Sequence, residues 1–413
     1  MSTPPGDAVE QLVRDEYPRI LATLIRVTGD VDTAQDAVQD AVIRALETWP
    51  RDGVPDQPRA WLTVVARRCA IDRVRRESSR TGKEAEAVWL LDTEPDQPPD
   101  SVVRDDLLRL VFTCCHPTLS REAQVALSLR TIGGLSTSDV ARALLVPEAT
   151  MAKRLTRAKQ KISRARIPYR VPSDHELPAR LASVLTTLYL IFNEGYAASS
   201  SPDLVRAHLV DEALRLTGLL HDLMPDEPSV AGLRALELLQ DSRRATRVDE
   251  AGNAIRLRDQ DRSQWDHERI REGVLHLGDA LRRTPTTPDP YVVQAAIAAC
   301  HALAPTYADT DWDAIISWYD VLLTVEPTDV VRLGRASAVA ERDGPEEGLR
   351  TVDAITGLGD YAWWHAARAE LLHRLDRPED ARLARDLAEA HGLTGPSLRT
   401  LDASLAHKRP GEG

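Results

Sequence analysis

The sequence lacks most features that mark secreted, membrane-spanning or sheet-rich chains. Four cysteines in 413 residues are too few for a disulfide framework and fit a reducing compartment. The longest apolar stretch, around residues 181–192, is too short to span a bilayer. The opening string MSTPPGDAVEQ is polar, so we expect no signal peptide, no membrane association and a cytoplasmic location. Runs of β-branched residues are scarce, and the abundance of Ala, Leu, Arg, Asp and Glu favours an all-α fold.

Motifs for catalysis and metal binding are scarce as well. The sequence has no Gly-rich phosphate loop and no nucleophile motif. The string Cys114-Cys115-His116 lacks the spaced ligand pairs of a zinc site, and we expect the two cysteines to fill small spaces in a core. We therefore expect no catalytic residue, no metal and no cofactor.

One cluster of chemistry-bearing side chains lies between Asp259 and His267. Its three acids and its histidine could be drawn as a metal cluster, or as the site of an enzyme, which is a competing class of function. Helix capping and ion pairs with neighbouring arginines explain them more simply. The acids are Asp259, Asp261 and Asp266, and the arginines are Arg258, Arg262 and Arg269.

Charge is distributed unevenly along the chain, whose net charge is −12. Residues 1–170 carry 26 Lys and Arg against 24 Asp and Glu, whereas residues 171–413 carry 26 against 40. The front part concentrates its cations in two predicted helices, so nucleic acid can be contacted there. The acidic back part repels nucleic acid on average.

The stretch Leu135–Arg166 predicts two helices separated by a tight break. The first covers Thr137–Leu144, and Pro147 suits the first turn of the second. The second helix combines an apolar stripe with outward cations, which is the layout of a DNA-binding helix-turn-helix; a solvated basic helix is the alternative. The stripe is Met151, Leu155, Ala158 and Ile162, and the cations are Lys153, Arg154, Arg157, Lys159, Lys161, Arg164 and Arg166.

A second basic helix is predicted over Pro58–Ser79, after a turn-rich loop at Pro50–Gln57. Ahead of the loop, Thr33–Trp49 is predicted as a helix that carries Asp36 and Asp40 one turn apart. We expect the apolar side of that helix to be buried. Its residues are Ala34, Val38, Ala41, Val42, Ala45 and Leu46.

The acidic, proline-bearing segment 81–101 separates the two basic helices and is predicted to be a tether. We place the first helical domain at residues 7–80 and the domain with the helix-turn-helix at residues 102–170. A helical extension follows at residues 171–290, and helix pairs fill residues 291–408.

An internal repeat predicts those helix pairs. The triplets Trp312-Asp313-Ala314, Glu346-Glu347-Gly348 and Glu379-Asp380-Ala381 end 34 and 33 residues apart. Each follows a turn, opens a helix and comes after an Ala-rich apolar segment. This is the tetratricopeptide (TPR) period, with small residues where paired helices cross closely.

Two longer strings resemble modules of a known family. GDVDTAQDAVQDAVIRALETWP followed by PRAWLTVVARRCAIDRVRRE resembles region two of bacterial sigma factors, and LSTSDVARALLVPEATMAKRLTRAKQKI resembles region four. The linker has no room for region three, so the chain is similar to the compact extracytoplasmic-function (ECF) sigma factors. The strings IFNEGYAAS, LMPDEP and DSRRATR resemble the ECF subgroup with a C-terminal TPR-like extension. The resemblance implies two small helical sigma domains, an acidic linker and a helical extension ending in TPR-like pairs.

The resemblance also implies a function, which is not enzymatic. A sigma factor binds core RNA polymerase, directs it to the −35 and −10 elements of promoter DNA and aids DNA melting, and the Pro50–Gln57 loop would capture a flipped base. The implied core-polymerase-binding residues are Asp36, Gln39 and Asp40. The implied −10 residues are Arg59, Trp61, Arg67, Arg68, Arg73, Arg75 and Arg76. The implied −35 residues are Glu148, Thr150, Met151, Lys153, Arg154, Arg157 and Lys159.

Two questions stay open at the level of sequence. A DNA-binding repressor without polymerase contact is an alternative to a sigma factor. The acidic extension either masks the basic helices or recruits a protein partner. In the subgroup that the chain resembles, no dedicated membrane anti-sigma factor is expected and the extension is thought necessary for activity, which favours a partner platform.

Overall fold

The computed structural model describes residues 16–25, 28, 31–81, 105–144, 146–164, 176–197, 205–249, 252–284 and 286–406. The chain divides into two compact units, Met1–Ile191 and Phe192–Gly413. In these ranges the regular structure is helical, with one isolated β-bridge between Val248 and Ala254, so the all-α prediction is confirmed. The acidic linker after residue 81 lies outside the described residues.

None of the described helices is both long enough and apolar enough to cross a bilayer.

The first unit begins with helices α1 (residues 16–25), α2 (Val31–Asp52) and α3 (Pro58–Thr81). Small residues of α2 are fully buried, which lets α3 approach closely. They are Ala34, Ala37, Ala41 and Ala45, and α3 contributes Leu62, Ala66 and Ala70.

The predicted Pro50–Gln57 loop is wrong at its N-terminal end, because α2 continues through Pro50 to Asp52. Pro50 lies in the last turn of the helix. The glycine that follows ends the helix instead: Gly53 has φ +85° and its N–H donates to the Trp49 carbonyl at 3.0 Å. Only residues 53–57 form the connection.

The prediction of two helices separated by a tight break is confirmed. Helix α6 (Thr137–Ala143) starts with a capping box, in which Ser136 Oγ accepts the Asp139 N–H at 3.1 Å and Asp139 Oδ2 accepts the Ser136 N–H at 3.2 Å. The turn closes when the Val146 N–H donates to the Ala141 carbonyl at 2.9 Å. The helices of this part are α4 (Asp106–Cys114), α5 (Arg121–Thr131), α6 (Thr137–Ala143) and α7 (Glu148–Arg164).

Helix α8 (Leu177–Tyr196) packs its first turns on this part of the first unit. Arg180 Nη1 donates to the Phe112 carbonyl at 3.0 Å. Cys115 Sγ lies 3.9 Å from the hydroxyls of Ser128 and Thr187. Burial raises the pKa of the Cys115 thiol to about 11, so it remains protonated and fills the core, as predicted.

The end of α8 carries the string Asn193-Glu194-Gly195-Tyr196, which anchors packing inside the second unit. A Cβ on Gly195 would lie 2.7 Å from the Val210 nitrogen, so only glycine permits this approach. The buried Glu194 carboxylate lies 3.4 Å from Arg206. Tyr196 is stacked on Phe192 and under the Arg247 guanidinium, which is 3.6 Å from its ring centre.

The second unit continues with α9 (Ala207–Leu223), α10 (Pro228–Asp241) and α11 (His267–Arg283). Three 3₁₀ turns, Arg244–Thr246, Leu257–Asp259 and Arg262–Gln264, lie in the connection between α10 and α11.

The predicted helix pairs follow in order. The helices are α12 (Pro290–Leu303), α13 (Trp312–Val325), α14 (Asp329–Asp343), α15 (Pro345–Asp353), α16 (Ala362–Arg374), α17 (Pro378–Ala390) and α18 (Gly395–Ala406). α13, α15 and α17 each open at or beside a repeat triplet, and α12, α14 and α16 precede them. A Cβ on Gly348 would overlap that of Ala340, so α14 and α15 cross at small residues, as the repeat predicted.

Candidate nucleic-acid interface

The outward face of α2 carries the residues predicted to bind polymerase. Asp36 and Gln39 are exposed and Asp40 is half-buried. On the same face, Ile43 and Leu46 are each 47% exposed. The prediction that Leu46 is buried is therefore wrong, and the helix presents a mixed acidic and apolar stripe with the spacing of one helical face.

Arg73 of α3 joins two of the predicted surfaces. Its Nη1 donates to Asp36 at 2.7 Å, and its Nε and Nη2 donate to Asp40 at 3.0 and 2.8 Å. The hydrogen bonds to Asp40, and the charges of both acids, raise the pKa of the Arg73 guanidinium despite its partial burial. A predicted DNA-binding cation is thus held by two predicted polymerase-binding acids.

The other predicted −10 residues are distributed along α3. Arg59 lies 3.3 Å from Glu16 of α1, and Trp61 packs edge-on against Trp49 with ring centres 5.4 Å apart. Arg67 is half-buried and Arg68 is exposed. The side chains of Arg75 and Arg76 lie outside the described residues.

Helix α7 presents most of the predicted −35 residues to solvent. Glu148, Thr150, Lys153 and Arg157 are exposed, and Arg154 is half-buried. The base contact predicted for Met151 is wrong for this structure, because its side chain is 0% exposed. Met151 belongs to the apolar stripe, which the helical period also indicated.

Lys159 contacts the helix predicted to bind polymerase. Its Nζ donates to Asp32 Oδ1 at 3.0 Å and to Gln35 Oε1 at 2.6 Å, both on α2. A surface depression of about 440 Å³ beside it is lined by Arg157, Gln160, Lys161 and Arg164. Cations therefore concentrate on the last turns of α7, where they suit phosphate contacts.

The Asp259–His267 cluster has structural roles. Asp259 pairs with Arg256 at 2.7 Å, Asp261 caps the turn at Ser263, and Asp266 caps α11. In the part of the chain that the structure describes, no three His, Cys, Asp or Glu side chains are placed to hold a metal ion. Capping by Asp261 and Asp266 is observed, and Asp266 pairs with Arg269 at 3.3 Å as expected. The other two expected pairings are wrong, because Arg258 pairs with Glu341 and Arg262 donates to the carbonyls of His301 and Ala304.

Comparison with known families agrees with the two modules. Residues 12–80 match Sigma-70 region 2, and residues 109–162 match Sigma-70 region 4. Residues 180–281 match a family of unknown function, DUF6596. No solved structure matches the chain.

Curated relatives cover either the front part or nearly the whole chain. An uncharacterized protein of Rhizobium meliloti is 44% identical over 94% of this chain and 93% of its own length. The ECF RNA polymerase sigma factor SigL of Mycobacterium tuberculosis is 31% identical over 36% of this chain and 83% of its own length. The probable ECF RNA polymerase sigma factor SigI of the same organism is 28% identical over 42% of this chain and 61% of its own length.

The order of the two regions and the match over most of SigL define the class of protein. The chain belongs to the ECF family of RNA polymerase sigma factors, which act in transcription initiation without being enzymes.

Proposed function

We propose that this sigma factor contacts core RNA polymerase through the outward face of α2 and reads two promoter elements through α3 and α7. The observation that carries the proposal is that α7 has one buried apolar side and one exposed cationic side. Met151, Leu155 and Ala158 are buried there, while cations point outward from a helix-turn-helix. The polymerase is cytoplasmic, and we place the chain there with it.

The −10 element is assigned to α3 together with residues 53–57. The connection is short and exposed, and Val54 is 39% exposed at its centre. Arg59, Trp61 and Arg68 follow it on α3. Melting DNA costs a few kcal/mol of unstacking, which capture of an extruded base beside cations and an aromatic ring offsets.

The polymerase contact is tested with Ile43→Glu, since Asp36 and Asp40 also hold Arg73 and their replacement would change two surfaces at once. Ile43→Glu should abolish promoter-dependent run-off transcription with purified core polymerase. The variant should also bind core polymerase more weakly in a pull-down. Leu275→Glu, the same change at an exposed apolar residue of the second unit, is the control. Full transcription by Ile43→Glu contradicts the assignment.

The same variant separates a sigma factor from a repressor. A DNA-binding repressor without polymerase contact keeps its activity when Ile43 is changed, since its function requires only DNA. Loss of transcription in a folded variant that still binds promoter DNA favours the sigma factor.

The −35 contact is tested with two alanine variants of α7. Arg157→Ala should weaken binding to all duplexes alike and lower the salt dependence, as expected for a phosphate contact. Arg154→Ala should change the preferred sequence, costing roughly 1–3 kcal/mol at one base pair. Binding-site selection with each variant measures both effects, and an unchanged preference in Arg154→Ala removes it from the base-reading set.

For the extension, we infer a TPR-like platform for a protein partner. Three consecutive helix pairs with small residues at a crossing support this inference. A truncation after Ala197 retains α8 and removes the helix pairs. A folded but inactive remnant is expected, whereas a constitutively active remnant would support masking of the basic helices.

A further inference from the structure

A cavity of about 270 Å³ lies among the helix pairs of the second unit. One wall is charged and consists of Arg258, Glu341, Glu370 and Arg374. The facing residues are largely aromatic and include Tyr307, Trp312 and Tyr319. Neither the family matches nor the promoter contacts assign a role to this cavity.

One carboxylate of the charged wall, that of Glu341, accepts hydrogen bonds from three neighbouring side chains. Glu341 accepts Arg258 Nη2 at 2.9 Å and Arg374 Nη1 at 2.6 Å, and it also accepts the Tyr307 hydroxyl. Burial and the Glu341 charge raise the pKa of Tyr307, which keeps its hydroxyl a donor. Glu370 lies 3.7 Å from Arg258, which is beyond a hydrogen bond, and is 34% exposed at the mouth.

Two further buried atoms beside the cavity lack a hydrogen-bond partner among the described residues, namely Arg374 Nε and His301 Nδ1. Leaving such an atom unpaired costs about 1–3 kcal/mol. Burial, with Arg243 and Arg262 nearby, lowers the pKa of His301 to about 4, so its ring is neutral at pH 7. Arg374 Nη2 donates to the Ala340 carbonyl at 3.4 Å, whereas Arg258 bonds to Glu341 through Nη2 alone, so the Arg258 guanidinium keeps N–H groups that have no acceptor among the described residues.

We propose that this cavity binds a small aromatic carboxylate. A carboxylate supplies acceptors in the planar geometry that a guanidinium recognises, and the Arg258 guanidinium offers such N–H groups to the cavity. The aromatic residues offer ring faces and edges to a planar body. The volume is at the small end of ligand sites, which limits the ligand to about one ring with its acid.

The proposal rests on the second unit alone and does not depend on polymerase or promoter binding. It makes the extension a receptor for a metabolite, so that one chain holds both the sensor and the transcription factor.

Calorimetric titration of the full chain with three matched probes tests the proposal. Phenylacetate and L-phenylalanine carry a ring and a carboxylate, whereas phenylacetamide carries the ring and no charge. Both acids should bind saturably, and the amide should bind at least about tenfold more weakly, or 1.4 kcal/mol. Tighter binding of L-phenylalanine assigns the site to an amino acid whose ammonium meets Glu370, and tighter binding of phenylacetate assigns it to a simple acid.

Variants locate the binding site. Arg258→Lys keeps the charge beside Glu341 but removes the planar fork, and should raise the Kd of the acids at least about tenfold. The control is Arg368→Lys, because Arg368 pairs with Asp353 at 2.6 Å and does not line the cavity. Ala367→Leu fills the cavity without a charge change and should abolish binding, with circular dichroism melting to confirm the fold of each variant.

Three results overturn the proposal. Neither acid binds saturably, the amide binds as tightly as the acids, or binding is unchanged in both Arg258→Lys and Ala367→Leu.

Discussion

Replacing Glu237 with Gln should stabilise the protein, and the gain should grow as the pH rises. Glu237 lies in α10 and is 0% exposed. Thr217 Oγ1 lies 3.1 Å from its Oε1, and its Oε2 has no partner among the described residues. Burial raises the pKa of this carboxyl to about 8, against the smaller opposing effects of Thr217 and the Arg234 charge.

The magnitude follows from that pKa. Because the folded-state pKa is raised, Glu237 does not destabilise the fold below its unfolded pKa of about 4.5, where it is protonated in both states. The free energy of unfolding then falls as the pH rises from about 4.5 to about 8, and it levels off above that. At 1.36 kcal/mol per pH unit, the cost in the wild-type protein is about 2 kcal/mol at pH 6 and approaches roughly 5 kcal/mol at pH 9. Gln does not titrate and has nearly the same shape.

Thermal melting of both proteins from pH 5 to pH 9 measures the effect. At roughly 2–4 °C per kcal/mol for a unit of this size, the difference in Tm should widen by on the order of 10 °C across that range. Glu268→Gln, at an exposed position of α11, is the control and should give a small, flat difference. A Tm difference for Glu237→Gln that does not change with pH would refute the argument.

Two more predictions concern the first unit. Asp32→Asn removes the carboxylate that pairs with Lys159 and should strengthen binding of a −35 duplex. The gain should be up to about fivefold, since exposed ion pairs are worth at most about 1 kcal/mol. Fluorescence anisotropy measures the binding, and weaker binding contradicts the prediction. Iodoacetamide at pH 7.5 should leave Cys114 and Cys115 unmodified in the folded protein, because burial raises the pKa of both thiols; rapid labelling seen by mass spectrometry would be inconsistent with that burial.

Much of the helical framework was predictable from local signals. The 3.6-residue period predicts α7, and Met151, Leu155 and Ala158 of its apolar stripe are buried. The repeat placed the openings of α13, α15 and α17 at or beside its triplets. Such features depend on residues within a few turns of each other, which a sequence shows directly.

The site was less predictable because it depends on contacts across elements. Arg73 and Asp36 are 37 residues apart, and only the packing of α3 on α2 brings them together. Leu46 fits an apolar stripe by period, yet no element in the described part of the chain covers it. The sequence predicts a loop from Pro50, whereas α2 keeps Pro50 in its last turn and ends before Gly53, whose φ is positive.

The shared position of Arg73 makes the two proposed binding events thermodynamically linked. If core polymerase engages Asp36 and Asp40, the guanidinium loses its counter-ions and gains affinity for phosphate. The coupling must be reciprocal, so that DNA held by Arg73 frees both acids for polymerase by the same factor. A single side chain would then favour assembly of the complete initiation complex over either partial one.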